Sequence, residues 1–144
     1  MIYLDTSMLV SLYLRDVNTL SAITFVRNAD EPLLISSLVE LEALNALNLR
    51  LLRNEIAPVQ RDRAVRDLCG DIQAGVLTLE PIPDSAYTRA KSLAQRLPPS
   101  IGFRPIDLLH VAAALELGAR SFFTFDRKQH KTADAAGLAV NPLA

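Results

Sequence analysis

The chain has 144 residues, 50% of them hydrophobic, with a formal net charge of −1 and a single cysteine. This apolar content excludes disorder, and the length predicts one domain over 1–144 that buries a real core. One cysteine excludes an internal disulfide and a cysteine-based zinc site, and the near-zero charge removes any global electrostatic case for nucleic-acid binding.

No stretch is apolar for the length a membrane helix requires, and the N-terminus shows no basic region followed by a long apolar run. A cytoplasmic protein with no membrane association is expected, in a reducing compartment. Cys69 reads as a buried small hydrophobe.

In chain order, Ile2–Leu4 is a short apolar strand, and Thr6 or Ser7 is placed to cap a helix with Met8, Leu9, Leu12 and Tyr13 on its apolar side. Asn18 or Thr19 begins a second helix that runs to about Asn28, and Asp30-Glu31-Pro32 is a turn. Leu33–Ile35 is the second strand, and Ser36 or Ser37 caps a long helix from Leu38 to about Asn54. Pro58 fits the first turn of a helix that Gly75 ends, and Val76–Leu79 is the third strand. Pro83-Asp84-Ser85 starts a helix to Leu97, and Pro98–Gly102 is a loop. Pro105 opens a helix closed by Gly118, Ser121–Phe125 is the fourth strand, and a last helix ends at Gly137 before a short edge strand at Leu138–Val140. Strands alternating with helices predict an α/β fold in three layers. Its central, mostly parallel sheet has four to five strands, with helices on both faces.

Four acids stand where the surrounding sequence is apolar. Asp5 closes the first strand, and Glu42 lies inside Ser36-Ser-Leu-Val-Glu-Leu-Glu-Ala-Leu-Asn-Ala-Leu47. Asp107 follows Pro105, and Asp126 closes Ser121-Phe-Phe-Thr-Phe. An acid ending a strand lies at the carboxyl edge of the sheet, where open α/β folds place ligands. Several acids gathered there repel one another unless protonated or neutralised, and hard cations such as Mg²⁺ take such oxygen ligands.

Asp5, Asp107 and Asp126 each also have an ordinary explanation as a helix cap or a partner of the helix dipole. Thr6 and Ser7 offer hydroxyls beside Asp5, and Thr124 pairs with Asp126 if the strand stays extended. Glu40 is the alternative to Glu42; Glu42 is favoured because it aligns with Asn45 on one polar face. His110, three residues after Asp107, is expected to pack or hydrogen-bond near the site and not to act as a ligand. Arg50, Arg53, Arg61, Arg63 and Arg66 form either a solvated face or a track for a phosphate backbone.

The ordered set Leu4-Asp-Thr-Ser7, Ser36-Ser-Leu-Val-Glu-Leu-Glu42 with Asn45-Ala-Leu47, Asp107-Leu-Leu-His-Val-Ala-Ala-Ala114, Thr124-Phe-Asp126 and Ala136-Gly-Leu138 resembles PIN-domain ribonucleases of the VapC toxin type. The resemblance spans nearly the whole chain. It implies a PIN-like fold and an acidic quartet at Asp5, Glu42, Asp107 and Asp126, supported by Thr6, Ser7 and Thr124. It also implies a Mg²⁺- or Mn²⁺-dependent endoribonuclease acting as a toxin, with RNA as substrate, a small antitoxin as partner and a homodimeric state.

Asp5 and Asp107 are the expected direct metal ligands, with Asp126 a third candidate; Asp126 and Glu42 act through water, hold a second cation, or orient the nucleophile. A phosphoacceptor domain is disfavoured because only Asp5 stands after the first strand, where such a domain needs an acidic pair. A non-catalytic interaction module is disfavoured because it has no need of four acids.

Overall fold

The computed structural model describes residues 1–143. Among these residues, five strands are interspersed with seven α-helices: β1 (Ile2–Leu4), α1 (Thr6–Tyr13), α2 (Thr19–Asn28), β2 (Leu33–Ser36), α3 (Ser37–Leu52), α4 (Pro58–Gln73), β3 (Leu77–Glu80), α5 (Ser85–Arg96), α6 (Pro105–Glu116), β4 (Ser121–Phe123), α7 (Arg127–Ala135) and β5 (Ala139–Val140). A 3₁₀ turn at Pro99–Ile101 interrupts the loop between α5 and α6. The sheet is parallel throughout, in the order β3-β2-β1-β4-β5.

Every residue of β1 and β2 is buried. A central strand with no solvent-facing side must be covered on both faces, which explains why these strands read as unbroken apolar runs. Tyr3 stacks on Phe122 across the β1–β4 pair, with ring centroids 5.1 Å apart. In α6, Val111 and Ala112–Ala114 are fully buried. Such small side chains let this helix lie close to its neighbours.

The strand order places the topological switch between β1 and β4. From β1 the chain builds outward to β2 and β3, then returns to the opposite side of β1 for β4 and β5. The crevice beyond the carboxyl ends of β1 and β4 is where this class of fold binds ligands.

The structure corrects several readings of the sequence. The cap of α1 is Asp5, not Thr6 or Ser7: its carboxylate accepts from the Met8 N–H at 3.1 Å. β3 begins one residue later than read, at Leu77. β4 stops at Phe123, so Thr124 and Asp126 do not share a strand face. The chain bends there because the Thr124 hydroxyl accepts from the Asp126 N–H at 2.9 Å.

Cys69 is exposed. It lies on α4 next to Leu68, which carries the buried stripe, so it faces outward one residue off that stripe. The native protein is therefore expected to react with a thiol reagent at one site per chain without denaturant. A thiol that reacts only in urea would contradict this placement of α4.

Candidate active site

One pocket of about 270 Å³ at the switch point is lined by Asp5, Thr6, Ser7, Glu42, Arg104, Ile106, Asp107, His110, Asp126 and Gln129. All four predicted acids reach it, from β1–α1, α3, α6 and the β4–α7 junction. Glu40, offered by the same helix as Glu42, does not line it.

Asp5 is buried and fully engaged. Its Oδ1 accepts from the Ser7 hydroxyl at 2.6 Å as well as from Met8, and its Oδ2 accepts from the Thr124 hydroxyl at 2.5 Å. Burial raises the Asp5 pKa, and it outweighs the opposing bonds from Ser7, Thr124 and Met8. Ser7 also accepts from the Phe125 N–H at 2.9 Å, so the two hydroxyls tie the ends of β1 and β4 together.

Glu42 sits in the second turn of α3, away from any helix end, and is held by side chains alone. Its Oε1 accepts from Thr6 at 2.9 Å and also bonds His110 Nε2. Burial pushes the Glu42 carboxyl up, but His110, Thr6 and the charge of Arg104 together bring it below its ordinary value. His110 is itself anchored from the core, its Nδ1 3.0 Å from the Tyr3 hydroxyl, which in turn lies 2.7 Å from Ser36 Oγ. Burial raises the Tyr3 phenol, so it stays neutral. With Nε2 donating to Glu42, Nδ1 accepts from Tyr3 and Ser36 donates to Tyr3, which fixes the ring orientation.

Asp107, 1% exposed, is the third residue of α6, and its Oδ2 accepts from the Arg104 backbone N–H at 2.8 Å. This is the returning half of a capping box; the other half cannot form because arginine has no acceptor. The Arg104 side chain then forks onto the same carboxylate, Nε to Oδ2 at 3.0 Å and a terminal nitrogen to Oδ1 at 2.9 Å. That nitrogen also reaches Asp126 Oδ2 at 3.4 Å. Asp126 caps α7 through the Gln129 N–H at 2.9 Å.

Sequence reading passed over Arg104, Gln129 and Asn141. Gln129 donates from its amide to the Asp107 carbonyl at 3.0 Å, joining α7 to the first turn of α6. Asn141 brackets Thr124, accepting from its N–H at 2.8 Å and donating to its carbonyl at 2.9 Å. Neither leaves a local pattern, since both contacts are long-range. Arg104 did leave one: Pro105 marks the first helical position, which makes Arg104 the cap residue and Asp107 the acid three places on.

Of the five arginines of the middle helices, Arg50 pairs with Glu55 and Arg61 with Asp62. None of the five lines the acidic pocket.

Among the described residues, no three acids and histidines converge closely enough to hold a metal ion as the side chains stand. The donors are nevertheless of the right kind: carboxylate oxygens from four elements around one cavity, with a guanidinium over two of them. An all-oxygen set suits a hard divalent cation once that guanidinium moves.

The PIN domain family matches residues 2–135. No curated protein sequence matches the chain. Among solved structures, the chain is similar to VapC20 of Mycobacterium tuberculosis, described as a Sarcin-Ricin loop cleaving toxin. The two share 19% identity at a TM-score of 0.72, over 99% of this chain and 100% of that one. It is also similar to VapBC2 of Rickettsia felis, bound to a DNA fragment from their promoter, with 19% identity, TM-score 0.66, and 98% of each chain covered. FitAcB of Neisseria gonorrhoeae gives 16% identity and a TM-score of 0.65, over 99% of this chain and 97% of that one.

The buried carboxylate generates a prediction about stability. Because the folded Asp5 pKa lies above its unfolded value, the native state holds its proton longer, and stability falls as pH rises through that window. Asp5→Asn removes this loss while keeping the shape. Its metal-free melting temperature is expected to match wild type at low pH and to stay level with or above it towards neutrality. A variant melting several degrees lower at neutral pH would show the carboxylate to be stabilising. With the family match over most of its length and the fold of these structures around its acidic pocket, the chain belongs to the PIN domain family.

Proposed function

We propose that the chain, acting as one domain over 1–144, is a metal-dependent endoribonuclease of the VapC type, the toxin of a toxin–antitoxin pair in the cytoplasm. The observation that carries this reading is the meeting of Asp5, Glu42, Asp107 and Asp126 in one pocket at the sheet's switch point, from four separate elements. Acids so placed repel one another, and a hydrolytic metal site is the use that offsets that repulsion.

Asp5, Asp107 and Asp126 would hold Mg²⁺ or Mn²⁺. When bound, the cation supplies charge neutralisation at the scissile phosphate and a more acidic water. Glu42, kept ionised and aimed by Thr6 and His110, orients the attacking water and accepts its proton. Thr6, Ser7 and Thr124 fix the acids. As the water oxygen bonds to phosphorus, the bond to the leaving oxygen breaks, and that oxygen takes a proton from solvent.

Apolar surface supports the proposed protein partners. Val17 and Leu20 near α2, and Leu41 and Leu52 on α3, are largely exposed. A groove of about 670 Å³ between α5 and α6 is lined by Tyr87, Ala90, Ala94, Pro105, Ile106 and Leu109 among others, and Ile106 also lines the acidic pocket. A small antitoxin with an amphipathic segment fits such a surface, and a second copy of the chain would cover the rest. No helix among the described residues is long and apolar enough to cross a membrane.

RNA cleavage is expected in Mg²⁺ or Mn²⁺, to be lost with EDTA, and to be abolished in folded Asp5→Asn and Asp107→Asn. Gel analysis of labelled RNA checks this, and normal metal-dependent cleavage by either variant would reduce those acids to structural caps. His110→Ala is expected to lower cleavage only in part, because Thr6 still holds Glu42. Light scattering at micromolar concentration is expected to give a dimer, and a strictly monomeric chain would remove that part of the proposal. Co-expression with a small antitoxin, if an adjacent reading frame encodes one, is expected to suppress toxicity, and a co-expressed protein that neither co-purifies nor suppresses toxicity would remove the toxin–antitoxin part of the proposal.

A further inference from the structure

Arg104 is built differently from the other residues of the pocket. Asp5 and Asp107 are buried, Asp126 is tied to the start of α7, Glu42 is held by Thr6 and His110, and His110 is locked from the core, but the Arg104 side chain is 53% exposed. Its fork covers both oxygens of Asp107 and touches Asp126. Its charge also reaches Glu42. No trio of acids and histidines in the pocket is close enough to hold an ion as it stands, and the guanidinium occupies the oxygens that such an ion needs.

Asp107 does not depend on that fork for its position. Its Oδ2 keeps the bond from the Arg104 backbone N–H when the side chain rotates away, and Gln129 keeps its hold on the Asp107 carbonyl. The Arg104 end of the fork is exposed but the Asp107 carboxylate is buried, so the fork opens only when another cation takes over that buried charge. A guanidinium leaving two carboxylates at the pocket mouth has a chemically matched destination in the phosphate of a bound nucleic acid, whose two non-bridging oxygens also accept a bidentate pair of N–H bonds.

We propose that Arg104 is the resident cation of the acidic pocket, neutralising Asp107 and Asp126 until a divalent ion displaces it, and that it then turns to the RNA phosphate. The inference rests on the metal-dependent reading above and assigns that site a substrate contact. On a chain whose net charge is −1, a cation released at the mouth of the site supplies local attraction for the phosphate backbone that the whole protein lacks.

The test compares wild type with Arg104→Gln and Arg104→Lys, each shown to fold by circular dichroism. Mn²⁺ binding is followed without RNA by the electron paramagnetic resonance signal of the free ion. Binding of a fluorescein-labelled single-stranded RNA is followed by anisotropy in Ca²⁺. Arg104→Gln is expected to bind Mn²⁺ about tenfold more tightly, the scale of one charge-assisted hydrogen bond no longer in competition. It is expected to bind RNA several-fold more weakly, with a salt slope smaller by about 0.7, the value for one lost phosphate contact on a single strand. Arg104→Lys, which keeps the charge without the fork, is expected to restore the salt slope and recover part of the RNA binding.

Unchanged or weaker Mn²⁺ binding in Arg104→Gln overturns the proposal, since Arg104 would then be a fixed part of the site. So does RNA binding that is indifferent to Arg104→Gln, or that Arg104→Lys fails to recover. If neither wild type nor Arg104→Gln binds Mn²⁺, the metal-dependent reading itself fails, and this inference with it. That outcome is distinct from a site that binds the ion without regard to Arg104.

Discussion

The structure depends on holding like charges together at one edge of a sheet. Four carboxylates around a pocket of about 270 Å³ repel one another, and the fold carries several devices that offset this. Asp5 and Asp126 cap α1 and α7, and Asp107 lies in the first turn of α6, so three of the four face the positive end of a helix. Serine and threonine hydroxyls donate to Asp5, and a guanidinium spans Asp107 and Asp126. The capping role of these acids and their proposed functional role are thus one arrangement. A helix that starts just after a strand of a parallel sheet aims its N-terminus at the switch point, and an acid at that start is both cap and pocket wall.

Glu42 is the exception, and the way it is held explains the core beneath it. It has no helix end to lean on, so its partners are the Thr6 hydroxyl and His110. His110 is placed by Tyr3, and Tyr3 is fixed by stacking on Phe122 and by Ser36. A chain of contacts therefore runs from the centre of the sheet to the pocket, through side chains that are all buried until it reaches Glu42, 31% exposed. Such a fully satisfied polar network is rigid, and it specifies one orientation of the carboxylate it ends on. The polar tyrosine in the central strand β1 has this use; a phenylalanine there would leave His110 Nδ1 without its partner.

Much of this was legible in the sequence because the signals were local. Apolar runs bounded by Pro, Gly and Ser marked the strands and helices, and acids at strand ends marked the carboxyl edge of the sheet. The misread end of β4 and the missed Gln129 share one physical cause, which is side chains reaching across the fold. β4 was read two residues too long because Thr124-Phe125 has strand character. The bend comes from the Thr124 hydroxyl bonding Asp5 and the Asp126 N–H, while Asn141 takes the backbone groups a neighbouring strand would pair. Cys69 was read as buried on residue type alone, but the phase of α4, set by Ala64 and Leu68, turns it outward. Gln129 was invisible because its contact lies 22 residues away.

The pocket that results has two mechanically different sides. Asp5 and Glu42 are fixed by hydroxyls and by the core, and neither can move without disturbing β1 or α6. Asp107 is held from its backbone side by the Arg104 N–H, and Asp126 by the start of α7, while the group covering both on the solvent side is a half-exposed arginine. A site with one rigid wall and one exchangeable cover can keep its acids in register while the charge that neutralises them changes. Rigidity on every side would leave the acids permanently paired with protein cations and closed to any ligand. Mobility on every side would let their repulsion spread them apart. The division falls where the sequence changes character, between the apolar, alanine-rich body of α6 and the exposed Arg104-Pro105 step that opens it.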